Sequence, residues 1–157
     1  MDLIKSRKKE SFINKAYLEA LKSPMLFRHG CIAVYGGKQI ASGYNHYRTY
    51  SKDKSILNEY NCSMHSEVDC IRKIKKSKYK NKMKDISLYV VKVNSDFKLG
   101  NSKPCSSCKS ILKSHKVKKV YYSVDNGFVC SKVDEIVTRD SFGTKMMKIN
   151  MKFKLNL

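Results

Sequence analysis

Lys103-Pro104-Cys105-Ser106-Ser107-Cys108 is the stretch of this 157-residue chain that leaves the fewest structural options open. Two cysteines three positions apart lie on one face of a helix, and a proline just ahead of them suits a helix start, where its missing N–H costs nothing. Thiolates at that spacing make half of a metal site. Forty positions upstream of Cys105, His65-Ser66-Glu67 opens a second helical run with an imidazole and a carboxylate. Together His65, Cys105 and Cys108 form a three-ligand zinc set that leaves the fourth tetrahedral position to water, as in sites that carry out chemistry. The same residues admit other uses. A Cys-x-x-Cys pair also serves as a redox couple or zinc knuckle, and Cys62 with His65 would complete a closed, purely structural four-ligand site.

The length suits one domain with a sizeable core, read here as residues 1–157 with arm-like or flexible ends at 1–10 and 141–157. No apolar run approaches the roughly 18 residues of a bilayer span, and Met1 to Glu10 is charged where a secretory signal would be apolar. The expectation is therefore a cytoplasmic protein with no membrane partner, its six cysteines reduced and used for metal binding or burial. A net charge of +20 points to a polyanionic partner. Against that, the 33 basic residues divide into 28 lysines and 5 arginines, the balance that A/T-rich codon usage produces. Arginine is the residue suited to bidentate phosphate and base contacts. Both readings stand, a nucleic-acid partner held by a basic surface or none, and an anionic substrate fits either.

Along the chain, Ser11 to Lys22 has helical spacing through Phe12, Ala16, Leu18 or Glu19, and Leu21, with Ser11 as candidate N-cap and Pro24 beyond the end. Cys31–Tyr35 and Gln39–Tyr44, joined by Gly36-Gly37, read as a hairpin. Residues 46–64 read as a loop over the pocket, with Tyr44, Tyr47, Tyr50 and Tyr60 available to stack on a base. A helix starts at His65 with Val68, Ile71 and Ile74 on one face, and its N-terminus offers free amides near Glu67. Seven lysines between Lys73 and Lys84 follow, either a solvated face or a nucleic-acid surface. Ile86–Val93 is apolar enough for a strand buried on both faces. Asn94–Lys103 interrupts it before the Cys-x-x-Cys helix, and Lys118–Val124 is the next strand, reached by a right-handed parallel crossover. Asp125-Asn126-Gly127 then turns the chain straight into Phe128–Val133, so the last two strands should be antiparallel. His29, His46 and His115 lack ligand spacing and read as ordinary.

His65-Ser66-Glu67 followed by Pro104-Cys105-Ser106-Ser107-Cys108 resembles the signature of the zinc-dependent cytidine deaminase superfamily. The resemblance implies a three-layer α/β fold, a mixed five-stranded sheet with helices on both faces. It implies Zn2+ on His65, Cys105 and Cys108, with Glu67 as the group that moves protons between water and base. Gly43-Tyr44-Asn45 is similar to a family motif whose asparagine amide contacts the substrate sugar. The antiparallel last pair resembles the branch of free cytidine deaminases, whereas the Asn94–Lys103 loop departs from deoxycytidylate and tRNA adenosine deaminases. The implied activity is hydrolytic deamination of cytosine in a free nucleoside or nucleotide by a homo-oligomer. A deaminase acting on RNA or single-stranded DNA, and a non-catalytic zinc-bound RNA-binding scaffold, remain as alternatives.

Overall fold

A computed structural model describes residues 6–47 and 63–138. Three helices, α1 (Arg7–Ala20), α2 (Ser66–Lys75) and α3 (Ser106–Ser114), pack against strands β1 (Arg28–Tyr35), β2 (Lys38–Tyr44), β3 (Ser87–Val93), β4 (Leu99–Gly100), β5 (Lys119–Val124) and β6 (Gly127–Lys132). The sheet order is β2-β1-β3-β5-β6. β3 and β5 run parallel and the other pairs antiparallel, the last pair included. The five expected strands are present, and β4 is an addition of two residues paired to Lys92 and Val93.

Period-two alternation explains the layers. In β3, Leu88 and Val90 join Val68, Ile71, Ile74, Ile111 and Leu112 in a core beneath α2 and α3. Tyr89, Val91 and Val93 point the other way, into a core with Phe12, Ile13, Ala16 and Ala20 of α1. Helices thus cover both faces, and β3 is continuously apolar from Leu88 to Val91 because it feeds two cores. Two glycines let the helices come close. A Cβ on Gly30 would run into the backbone of Ala16 and Ala20, and one on Gly43 would lie 2.7 Å from the Ser66 carbonyl and the Cys70 amide. The first turn of α2 is therefore seated directly on β2.

α1 begins earlier than its sequence suggests. Ser6, not Ser11, is the N-cap, its hydroxyl accepting from the Lys9 amide, so residues 6–10 are cap and helix where a flexible arm was expected. The inner stripe is Phe12, Ile13, Ala16, Glu19 and Ala20. Leu18 falls outside it and is 62% exposed.

The Asn94–Lys103 interruption is a built connection. β3 and β5 stop pairing at Val90 and Tyr122, and two buried serines bridge the gap beyond. Ser102 Oγ donates to the Val90 carbonyl at 2.7 Å and accepts from the Ser123 amide at 2.7 Å. Ser123 Oγ donates to the Gly100 carbonyl at 2.7 Å and accepts from the Lys92 amide at 3.1 Å. This brace delivers the chain to Pro104 beyond the C-terminal end of β3, where α3 starts. Of the expected pocket loop, residues 48–62, with Tyr50, Tyr60 and Cys62, lie outside the described residues, as does the C-terminal arm from 139 onward. A single His46–Met64 bridge joins the two ends of that loop.

Candidate metal centre

The N-termini of α2 and α3 meet at one place, and the residues at their cap positions are His65 and Cys105. Neither side chain makes a capping hydrogen bond. Both turn instead toward Cys108, one turn into α3. His65 Nδ1 lies 3.2 Å from Cys108 Sγ and 3.6 Å from Cys105 Sγ, and one donor atom from each of the three falls within 4.8 Å of the others. Tetrahedral zinc with Zn–S near 2.3 Å and Zn–N near 2.0 Å would put nitrogen and sulfur about 3.6 Å apart. The donor set and its spacing fit that ion, and the structure brings together the three residues that the sequence singled out.

The three donors shift one another's affinity for protons. Cys105 is brought down to about 5, first by the hydrogen bond from Cys108 and, against the cost of burial, by His65 as well. Cys108 is pushed up by the same bond and by its burial. Burial alone would lower His65, but the hydrogen bond and charge of Cys105 outweigh it and hold the imidazole above its usual range. Cys105 is thus the thiolate of the set, while Cys108 must give up a proton to ligate.

Glu67 is 5% exposed and close enough to raise Cys108 further, by charge and by a hydrogen bond. Ser66 Oγ donates to its Oε1 at 2.7 Å. The carboxylate is held beside the donor cluster at the positive end of α2. Asn45, 6% exposed, is already engaged. Its Oδ1 accepts from the His29 amide at 2.8 Å and its Nδ2 donates to the Phe27 carbonyl at 2.6 Å, clamping the chain entering β1. Each end of the amide keeps one further hydrogen-bonding valence. Of the tyrosines, Tyr44 packs edge-on against His46, and Tyr47 is 67% exposed.

Sequence reasoning missed His29 and Asp69. His29 shares the strand parity of Cys31 and Ala33, which face α2 and α3, and that parity was the available signal. Burial holds its imidazole below the usual value, while the Glu67 charge works upward and the His65 charge downward, so the ring stands near both. Asp69, 2% exposed, accepts from Arg72 at 2.8 Å and from the Tyr44 amide at 3.3 Å, and His46 Nε2 lies 3.5 Å away. It locks α2 to the end of β2. The cysteines among the described residues are free, with Cys31, Cys70 and Cys108 buried.

Residues 6–124 match the family model described as the cytidine and deoxycytidylate deaminase zinc-binding region. No curated protein sequence matches. Among solved structures, the chain resembles the dCMP deaminase of cyanophage S-TIM5 at 21% identity, over 93% of this chain and 94% of that one, with a TM-score of 0.53. It also resembles the cytidine deaminase of Burkholderia pseudomallei at 14% identity, over 84% and 98%, with a TM-score of 0.60. The cytidine deaminase of Mycobacterium tuberculosis aligns at 11% identity, over 86% and 98%, with a TM-score of 0.55. At these identities the structural likeness speaks for the fold.

Proposed function

Because the chain belongs to the family of cytidine and deoxycytidylate deaminases with a zinc-binding region, we propose that it deaminates cytosine in a free nucleoside or nucleotide, with Glu67 as its acid–base group. The observation that carries this reading is the burial of Glu67 against the His65, Cys105 and Cys108 donors at the head of α2. His65 Nδ1 and the two thiolates would hold the zinc. When bound, zinc supplies a water that loses its proton near neutral pH. Glu67 accepts that proton, delivers it to the ring nitrogen of the base, and assists the departing ammonia. Ser66 Oγ orients the carboxylate through Oε1, leaving Oε2 for the reaction. Asn45 offers its remaining valences to the sugar.

The test is ammonia release by zinc-loaded protein from a panel of cytidine, deoxycytidine, CMP, dCMP and single-stranded DNA and RNA. Turnover of monomers with no polynucleotide present is the expected result. Turnover confined to polymers, with binding that weakens steeply with salt, would transfer the activity to nucleic acid.

A further inference from the structure

In front of the metal-bearing ends of α2 and α3 the sheet presents one row of side chains whose register is known. The first turn of α2 lies on Gly43, which pairs with Cys31, which pairs in turn with Val90. Two residues further along each strand, on the same face by alternation, the row becomes Asn45, His29 and Lys92. The Asn45 amide donates to the His29 carbonyl at 3.1 Å, and His29 pairs with Lys92. The row therefore lies just ahead of the α2 N-terminus, where Asn45 and His46 lead out of β2 and Met64 leads back toward His65. In that row His29 stands between Asn45 and Lys92, and it feels the charges of Glu67, of His65 and of Lys92.

Lys92 differs from the other basic groups around α2. Arg72 and Lys73 both pair with Asp69, at 2.8 and 3.5 Å. The half-buried Lys92 has no carboxylate partner among the described residues. Its Nζ rests 4.8 Å from the centre of the Phe27 ring, and the Phe27 carbonyl is the group that Asn45 holds. Such a cation gains more from an anion than a solvated lysine would, because partial burial weakens the competing water. Two strand spacings separate Asn45 from Lys92, about 10 Å. That is the scale of one nucleotide laid across the sheet with its base at the metal.

We infer that Lys92 is a specificity-determining residue that takes the 5′-phosphate of the substrate, so that the chain acts on cytosine nucleoside monophosphates in preference to nucleosides. The inference rests on the deaminase reading of the site. His29 fills the row between Asn45 and Lys92, so the phosphate and the sugar would lie on either side of its side chain.

Two measurements on the zinc-loaded full chain test it. The first compares kcat/KM for dCMP and deoxycytidine in the parent, in Lys92→Met, which keeps the stem and removes the charge, and in Lys92→Arg. The parent should favour the monophosphate by about ten- to hundredfold, the range of one charge-assisted hydrogen bond. Lys92→Met should lose that preference through KM with deoxycytidine unchanged, and Lys92→Arg should restore it. The second measures equilibrium binding of dUMP and deoxyuridine by calorimetry, which needs no turnover, and the same preference and the same loss are expected. Equal use of nucleoside and monophosphate by the parent, or an equal loss on both in Lys92→Met, overturns the assignment of Lys92. If no cytosine compound is deaminated, the deaminase reading fails, and the calorimetry alone decides whether Lys92 binds phosphate.

Discussion

α1 and the pair α2 and α3 begin in opposite ways. α1 has a serine at its cap, and the Ser6 hydroxyl satisfies an amide of its own first turn. α2 and α3 have His65 and Cys105 in that position, and neither side chain caps anything. A good cap contributes about 0.5–2 kcal/mol, so these two helices forgo that contribution and turn their cap residues outward to the donor cluster. Their free N-terminal amides add a positive field where the metal donors and the Glu67 carboxylate meet. One helix start serves the fold, and the other two serve the site.

Cys105→Ser should separate the two uses most sharply. It removes a donor and installs a residue favoured at a helix cap. Zinc by elemental analysis should fall from about one per chain to near zero. A variant that kept its zinc would break the contrast. Cys62→Ser should keep the metal, since the three-donor set is complete without it.

Next in size, Glu67→Gln should keep the fold and the zinc and lose about 10²–10⁴ in kcat, the range of general acid–base catalysis. Unchanged turnover would leave the carboxylate with a purely structural place at the head of α2.

Asp69 belongs to the same helix yet serves the fold. Burial would raise its carboxyl, but the Arg72 hydrogen bond, the Lys73 charge and the Tyr44 amide outweigh that and hold it below its ordinary 3.8. A depressed folded value means that its stabilisation is complete above the unfolded value and is lost as pH falls through the folded one. Asp69→Asn should cost about 1–3 kcal/mol near neutral pH. It should also remove part of the fall in stability below pH 4, which acid titration by circular dichroism would record. An acid limb as steep as the parent's would assign that fall to other carboxyls.

The smallest effect is expected at α1. Ser6→Ala should lower stability by about 0.5–2 kcal/mol, with zinc content and turnover unchanged. A change in either would mean that the α1 cap reaches the site through the sheet.

How much of this is legible in the sequence depends on distance along the chain. The donors of the site were readable because each half is local. Cys105 and Cys108 share one helical turn, His65 and Glu67 share another, and ligand chemistry restricts what can join them. The antiparallel last pair was legible for the same reason, since Asp125-Asn126-Gly127 leaves no length for a crossover. His29 was read as ordinary because its meaning lies in a cross-strand row. Period two says which face it takes, but only the register places it opposite Asn45 and Lys92. The start of α1 was misplaced because Ser6 and Ser11 are equally good caps locally, and packing on β1 and β3 decides between them.

By itself, then, the sequence determined the donor types, the carboxylate beside them and the order of the five main strands and three helices, because these follow from short-range spacing and from what each side chain can do chemically. Tertiary structure decided the rest. It closed a separation of forty positions to 3.6 Å between His65 and Cys105, and it used Ser102 and Ser123 to carry the chain across the gap between β3 and β5. It also left Lys92 without a carboxylate among the described residues, facing the same side as the site. Each of these depends on strand register and on how closely glycine lets a helix approach a sheet, and neither is written in any local stretch of residues.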